Sequence, residues 1–102
     1  MAYQRIMGLE VIDQGIYQKY REAMMPILAT FGGEFTFDFT VSEVLLSQST
    51  DNINRLFTIT FPSKQHMEGF FSNPDYLAVK AKYFDLSVKS ATVISLHEVS
   101  AE

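Results

Sequence analysis

Two imidazoles, His66 and His97, are the side chains of this 102-residue sequence whose ordinary pKa suits proton transfer near neutrality. His66 falls in the first turn of an expected helix and is read as facing solvent. His97 lies in the last expected strand, on a face shared with Val93, Ser95 and Val99. It is either a structural histidine or an acid–base group. Asp38 interrupts a phenylalanine-rich strand on that strand's polar face. As a structural residue it is solvated or paired across the sheet. As a chemical one it stands on a pocket wall between sheet and helices, where burial raises a carboxyl pKa. Glu43 is open to the same two readings, with its local structure undefined. The two histidines sit on different elements, and no His/Asp/Glu group has ligand spacing, so no metal is expected. Cysteine is absent, which excludes thiolate nucleophiles and disulfides. Gly32-Gly33 ends a helix, whereas a phosphate loop needs glycines that begin one, and no nucleophile elbow is present.

The elements that position these residues follow from periodicity. Tyr3 to Val11 is a strand in which Met7, Leu9 and Val11 alternate with Gln4, Ile6, Gly8 and Glu10. Gly8 marks a close backbone approach or a bulge. Asp13 caps a helix whose apolar residues fall at 16, 20, 23, 24, 27, 28 and 31. Pro26 inside it costs about 3 kcal/mol or more, so the helix kinks or divides. Over Glu34 to Val41, Phe35, Phe37, Phe39 and Val41 share one face, with Thr36 and Asp38 on the other. Val44-Leu45-Leu46 either prolongs that strand after a bulge or lies in a loop. Arg55 to Phe61 alternates again. Ser63 caps a helix carrying Met67, Phe70 and Phe71. Asn73 caps the next, with Pro74 at its first position and Leu77, Ala81 and Phe84 along its apolar line. Asp85 to Ser90 connects to a last strand, Ala91 to Val99. The order β-α-β-β-α-β is that of a ferredoxin-like α+β domain, a four-stranded antiparallel sheet with helices on one face. The other face needs a cover, and a second copy of the same sheet is the simplest one.

Hydrophobic residues make up 47% and charged residues 20% of the sequence, the balance of a single globular domain spanning 1–102. The net charge of −4, without a basic run, argues against nucleic acid and against anionic membrane surfaces. No apolar run reaches the ~18 residues that span a bilayer. A soluble, cytoplasmic protein is expected.

Two motifs resemble a known family. Tyr20-Arg21, then Pro26, then Phe31-Gly32-Gly33 is similar to the Tyr-Arg … Pro … aromatic-Gly-Gly pattern of the DUF1330 family. Phe61-Pro62-Ser63 followed by Ser72-Asn73-Pro74-Asp75-Tyr76 resembles its Phe-Pro-Ser … Ser-Pro-Glu-Tyr signature. The resemblance implies a dimeric α+β barrel, two ferredoxin-like sheets packed face to face, and no assigned reaction. It singles out Tyr20, Arg21 and Tyr76 as substrate-binding candidates; their structural roles are core packing for Tyr20, a surface position or half of an ion pair at the dimer seam for Arg21, and pinning of a helical turn for Tyr76. Two departures stand out. Ser42-Glu43-Val44-Leu45 replaces the family's Leu-Glu-Gly-like step, and Lys80 and Lys82 stand where the family often has Arg, so an arginine anion clamp is in doubt there. Related dimeric barrels that degrade haem use a tryptophan, and this chain has none.

Two functions are therefore expected. The first is a homodimeric domain, small-molecule-binding or structural, holding a small hydrophobic ligand and no cofactor. The second is a cofactor-independent enzyme, monooxygenase- or isomerase-like, acting on a small aromatic or carbonyl compound. It would use His97 or Asp38 as base and Tyr76 or Arg21 to hold the substrate, and it requires the base to line a cavity.

Overall fold

The computed structural model of the protein describes residues 2–100. In chain order these form β1 (Ala2–Val11), α1 (Gln14–Thr30), β2 (Glu34–Thr40), β3 (Arg55–Phe61), α2 (Lys64–Ser72) and α3 (Pro74–Val79). The chain then passes through a π-helical turn, Lys80–Phe84, into the short α4 (Asp85–Ser87) and ends in β4 (Val88–Val99). The strands pair antiparallel in the order β2-β3-β1-β4. This is the expected ferredoxin-like arrangement. The molecule measures 33 × 30 × 17 Å, and its thin dimension is one sheet layer plus one helix layer.

The core lies between those two layers. Met7, Leu9 and Val11 of β1 and Phe57, Ile59 and Phe61 of β3 meet Tyr17, Tyr20, Met24 and Leu28 of α1. The buried line of α1 therefore includes Tyr17, which the apolar spacing left out. Asp13 caps α1 by accepting from the Ile16 amide, Ser63 caps α2 through the His66 amide, and Asn73 caps α3 through the amides of Asp75 and Tyr76. Pro26 neither ends nor divides α1. It sits on the exposed side, where water can serve the carbonyl it leaves free. The helix closes with the Gly32 amide on the Ala29 carbonyl and the Gly33 amide on that of Leu28, with Gly32 at φ +70°. A Cβ at Gly33 would lie 2.5 Å from Leu28 and 2.8 Å from Phe61, so the helix stop is also a packing joint.

Two bulges change the faces expected from simple alternation. In β2, Phe35 pairs with Ile59 but Phe37 pairs with Thr58, so Thr36 is the extra residue. Beyond it the phase inverts. Phe35 faces the helices, Asp38 joins it opposite Phe57, and Phe37 and Phe39 turn to the open face, where they are 58% and 53% exposed. In β4 a second register shift, around Ile94, leaves His97 opposite Gln4 and Thr92 opposite Gly8. His97 thus shares its face with Ser95 and Thr92, not with Val93. Leu45 and Leu46 belong to no strand; they lie in the arm 41–54 and are 87% and 93% exposed. On α3, Tyr76 is the buried residue and Leu77 is exposed, the reverse of the expected line.

Candidate functional site

A cavity of about 310 Å³ opens between the inner face of the sheet and the helices that follow β3. Its floor is apolar, built from Met7 and Leu9 of β1 and Phe57 and Ile59 of β3. Phe71, Tyr76 and Phe84 wall it, and Leu77 and Lys80 stand at its exposed side. The local sequence dictates this shape. Asn73-Pro74 restarts the helix at a new angle and drives Tyr76 inward, and the π-turn widens the next turn so that Lys80 and Phe84 come together, 5.4 Å from ammonium to ring centre. The volume lies in the range that takes a small organic molecule.

Three polar groups enter this apolar space. The hydroxyls of Tyr20 and Tyr76 are 2.9 Å apart and buried. Burial pushes the Tyr20 phenol far above its ordinary range, and the Tyr76 oxygen beside it adds to the push. Burial raises Tyr76 as well, against its hydrogen bond with Tyr20 and the positive charges of Lys80 and Arg5. Both phenols are therefore neutral at physiological pH. The third group is Arg5, whose guanidinium lies over the Phe71 ring at 4.4 Å and donates from Nε to the Met7 thioether at 3.0 Å. Burial pulls its pKa below the usual guanidinium value, opposed by Tyr76 and Tyr20, yet it stays cationic. Among the described residues Arg5 forms no ion pair. Sequence reading missed this residue. The available signal was its odd position in β1, the inward phase it shares with Met7, Leu9 and Val11.

Of the expected site residues, the structure brings Tyr20 and Tyr76 to this cavity and sends the others elsewhere. Asp38 and Arg21 meet one another on the inner face near the β2 edge. Asp38 accepts from Arg55 Nε at 2.8 Å and Nη2 at 2.9 Å, and lies 3.2 Å from Arg21 Nη2. Arg21 also stacks on Phe35 at 4.7 Å, and Arg55 on Tyr17 at 4.8 Å. Burial alone raises the Asp38 carboxyl, but the hydrogen bonds and charge of Arg55, with Arg21 behind them, outweigh it and hold the group below its ordinary value. The upward shift that went with the pocket-wall reading does not occur, because the bulge that turned Asp38 inward placed it between two guanidinium groups, paired across the sheet with Arg55. His97 stands on the opposite face of the sheet. Its Nδ1 is 2.7 Å from Ser95 Oγ and its Nε2 is 3.0 Å from Gln4 Oε1. Gln4 in turn donates to Thr60 at 3.3 Å, and Thr60 lies 3.5 Å from the Thr36 hydroxyl. This polar line crosses all four strands. Neither His97 nor Asp38 lines the cavity or the trough described next.

A shallower, wider trough of about 760 Å³ occupies the open face, between Leu56, Ile94 and the arm carrying Leu45 and Leu46. Ile53 of the arm covers Gly8, where a Cβ would come within 2.7 Å of it, which accounts for the glycine. The trough carries no buried polar cluster of the kind found beneath the helices. Glu43 lines its rim and is exposed. His66 is exposed too, its Nδ1 2.6 Å from Ser63 Oγ. No helix among the described residues is long and apolar enough to cross a membrane.

Solved structures of the same fold accompany this geometry. A protein of unknown function from Rhodopseudomonas palustris superposes with a TM-score of 0.78 at 14% identity, covering 98% of this chain and 84% of that one. A dabb family protein with a ferredoxin-like fold from Mesorhizobium loti gives 0.70 at 10% identity, covering 98% of both chains. A dimeric protein of unknown function with a ferredoxin-like fold from Bacteroides fragilis gives 0.63 at 11%, covering 96% of each. No curated protein matches the chain. The sequence model of the family described as "Domain of unknown function (DUF1330)" matches residues 2–95, and the chain belongs to that family.

Proposed function

We propose that the protein is a homodimeric small-molecule-binding domain, each protomer holding one small hydrophobic ligand in the cavity between sheet and helices. The observation that carries this reading is the meeting of Tyr20, Tyr76 and Arg5 in an otherwise apolar cavity of about 310 Å³. A purely structural domain has little use for a half-buried arginine that, among the described residues, has no carboxylate partner, since a desolvated charge costs stability unless something pairs with it. Dimerisation through the open sheet face is supported by the exposure of Phe37 and Phe39 there, and by the relative from Bacteroides fragilis described as dimeric. A cytoplasmic setting without nucleic-acid partners fits the net charge of −4 and the absence of a basic run.

A catalytic reading based on His97 or Asp38 has less support. Asp38 is held as a carboxylate by two arginines, and His97 is engaged by Ser95 and Gln4 on the far side of the sheet. The ligand-binding reading is tested by thermal unfolding against a panel of aromatic acids, quinones and lactones. A ligand at a hundredfold excess over its Kd stabilises the native state by about 2.7 kcal/mol, a shift of roughly 10 °C for a domain of this size. A panel in which no member shifts the transition, together with a Tyr76→Phe variant indistinguishable from wild type, would count against it.

A further inference from the structure

The cavity has more hydrogen-bond donors than the protein uses. Two neutral phenols carry two O–H groups, and the Tyr20–Tyr76 contact consumes one of them. Whichever way that bond runs, one phenolic proton is left over at the cavity wall. Arg5 adds its terminal amino groups, since among the described residues its one recorded hydrogen bond leaves from Nε. Lys80, at the exposed side, is already paired with Asp85 at 2.8 Å. The polar end of the cavity thus offers one positive charge without an ion-pair partner among the described residues and at least two free donors, with the two phenol oxygens as its acceptors. The rest is aromatic and aliphatic.

We infer, building on the ligand-binding reading above, that the cavity takes a flat apolar molecule bearing a single carboxylate, with Arg5 as its anchor and the leftover Tyr20/Tyr76 proton as its second donor. A carboxylate supplies acceptors alone, which is what a site with spare donors matches, and its one negative charge neutralises Arg5. A dianionic phosphate would leave a second charge buried against apolar walls. The ring of the ligand would lie among Phe57, Ile59 and Phe71.

Isothermal titration calorimetry at neutral pH with 2-naphthoate and its neutral isostere 2-naphthamide tests this. The acid should bind at least about tenfold more tightly than the amide, the ratio expected for one charge-assisted contact. Arg5→Met should erase that ratio, and Arg5→Lys should keep part of it. Equal binding of acid and amide overturns the inference but leaves the cavity as a ligand site. Absence of binding by both at millimolar concentration overturns the inference and the cavity reading together. If Arg5→Met does not fold, the double variant Tyr20→Phe with Tyr76→Phe replaces it, since either phenol alone still supplies a free proton, and an acid preference that the double variant leaves unreduced removes the phenol from the proposal. An acid preference that persists in folded Arg5→Met removes Arg5.

Discussion

Arg5 and Arg55 enter the inner face of the sheet from neighbouring strands, and each lies against an aromatic ring, yet only Arg55 has a carboxylate. That difference separates a structural cluster from a candidate site. Asp38 belongs to the structure: Arg55 grips it with two hydrogen bonds and Arg21 approaches from α1, tying the edge strand β2 to β3 and to the helix layer. Asp38→Asn should cost about 2 kcal/mol in urea unfolding, because hydrogen bonds to charged groups weaken and two guanidinium groups lose their counter-charge. The pH dependence follows from the lowered carboxyl pKa. A depressed folded-state pKa contributes stability that is present above the unfolded value of about 3.9 and is lost as pH falls through the folded value. Wild type and Asp38→Asn should therefore differ most near neutrality and converge in acid. The sequence marked Asp38 as ionisable but could not place it, since its face depends on one extra residue, Thr36, whose effect is set by pairing with β3. Arg5 was hidden for the opposite reason: its phase in β1 was legible, but a charged residue near a strand end is ordinarily assigned to the rim.

At the level of elements, local chemistry was legible and register was not. Ser63, Asn73-Pro74 and Gly32-Gly33 act through neighbouring amides and carbonyls, so their roles can be read within a few residues. Bulges belong to two strands at once, and no single strand carries their signal. The arm 41–54 shows the same limit. It is held at its end by Asn54, whose side chain accepts from the Val11 amide and donates to the Val11 carbonyl, both at 2.8 Å, continuing the ladder where β3 no longer pairs with β1. Its backbone closes the arm through the Leu9 carbonyl at 2.9 Å and the Val41 amide at 2.8 Å. Asn54→Ala leaves two partly buried backbone groups of β1 without partners and should cost about 2 kcal/mol. The loss should be local. Hydrogen exchange is expected to accelerate at the Val11 amide and along the arm, while the α1 amides hold their protection relative to global stability. Uniform acceleration across the molecule would show that the arm is not a separate unit.

For the whole molecule, the decisive feature is a thickness of 17 Å, which leaves one side of the sheet without a layer. That side is not uniformly apolar. The polar line from Ser95 through His97, Gln4 and Thr60 to Thr36 runs across the strands, and Phe37 and Phe39 stack beside it with ring centres 5.9 Å apart. A self-complementary interface needs this mixture, with apolar anchors to drive association and polar groups to fix the register. In the proposed dimer the two phenylalanines are the anchors, delivered by the bulge in β2; without the phase inversion at Thr36 they would face the helices instead. Burying one such ring is worth roughly 1.5–3 kcal/mol. Replacing both, Phe37→Asp with Phe39→Asp, should therefore weaken a sheet-to-sheet dimer by more than about a hundredfold, since each 1.4 kcal/mol is about a factor of ten. Size-exclusion chromatography with light scattering at micromolar concentration should give twice the chain mass for wild type and the chain mass for the double variant. The cavity lies on the other side of the sheet, so the double variant should still bind whatever ligand stabilises the wild type. A wild-type protein that elutes as a monomer would remove the dimer, and a double variant that dimerises unchanged would move the interface away from Phe37 and Phe39.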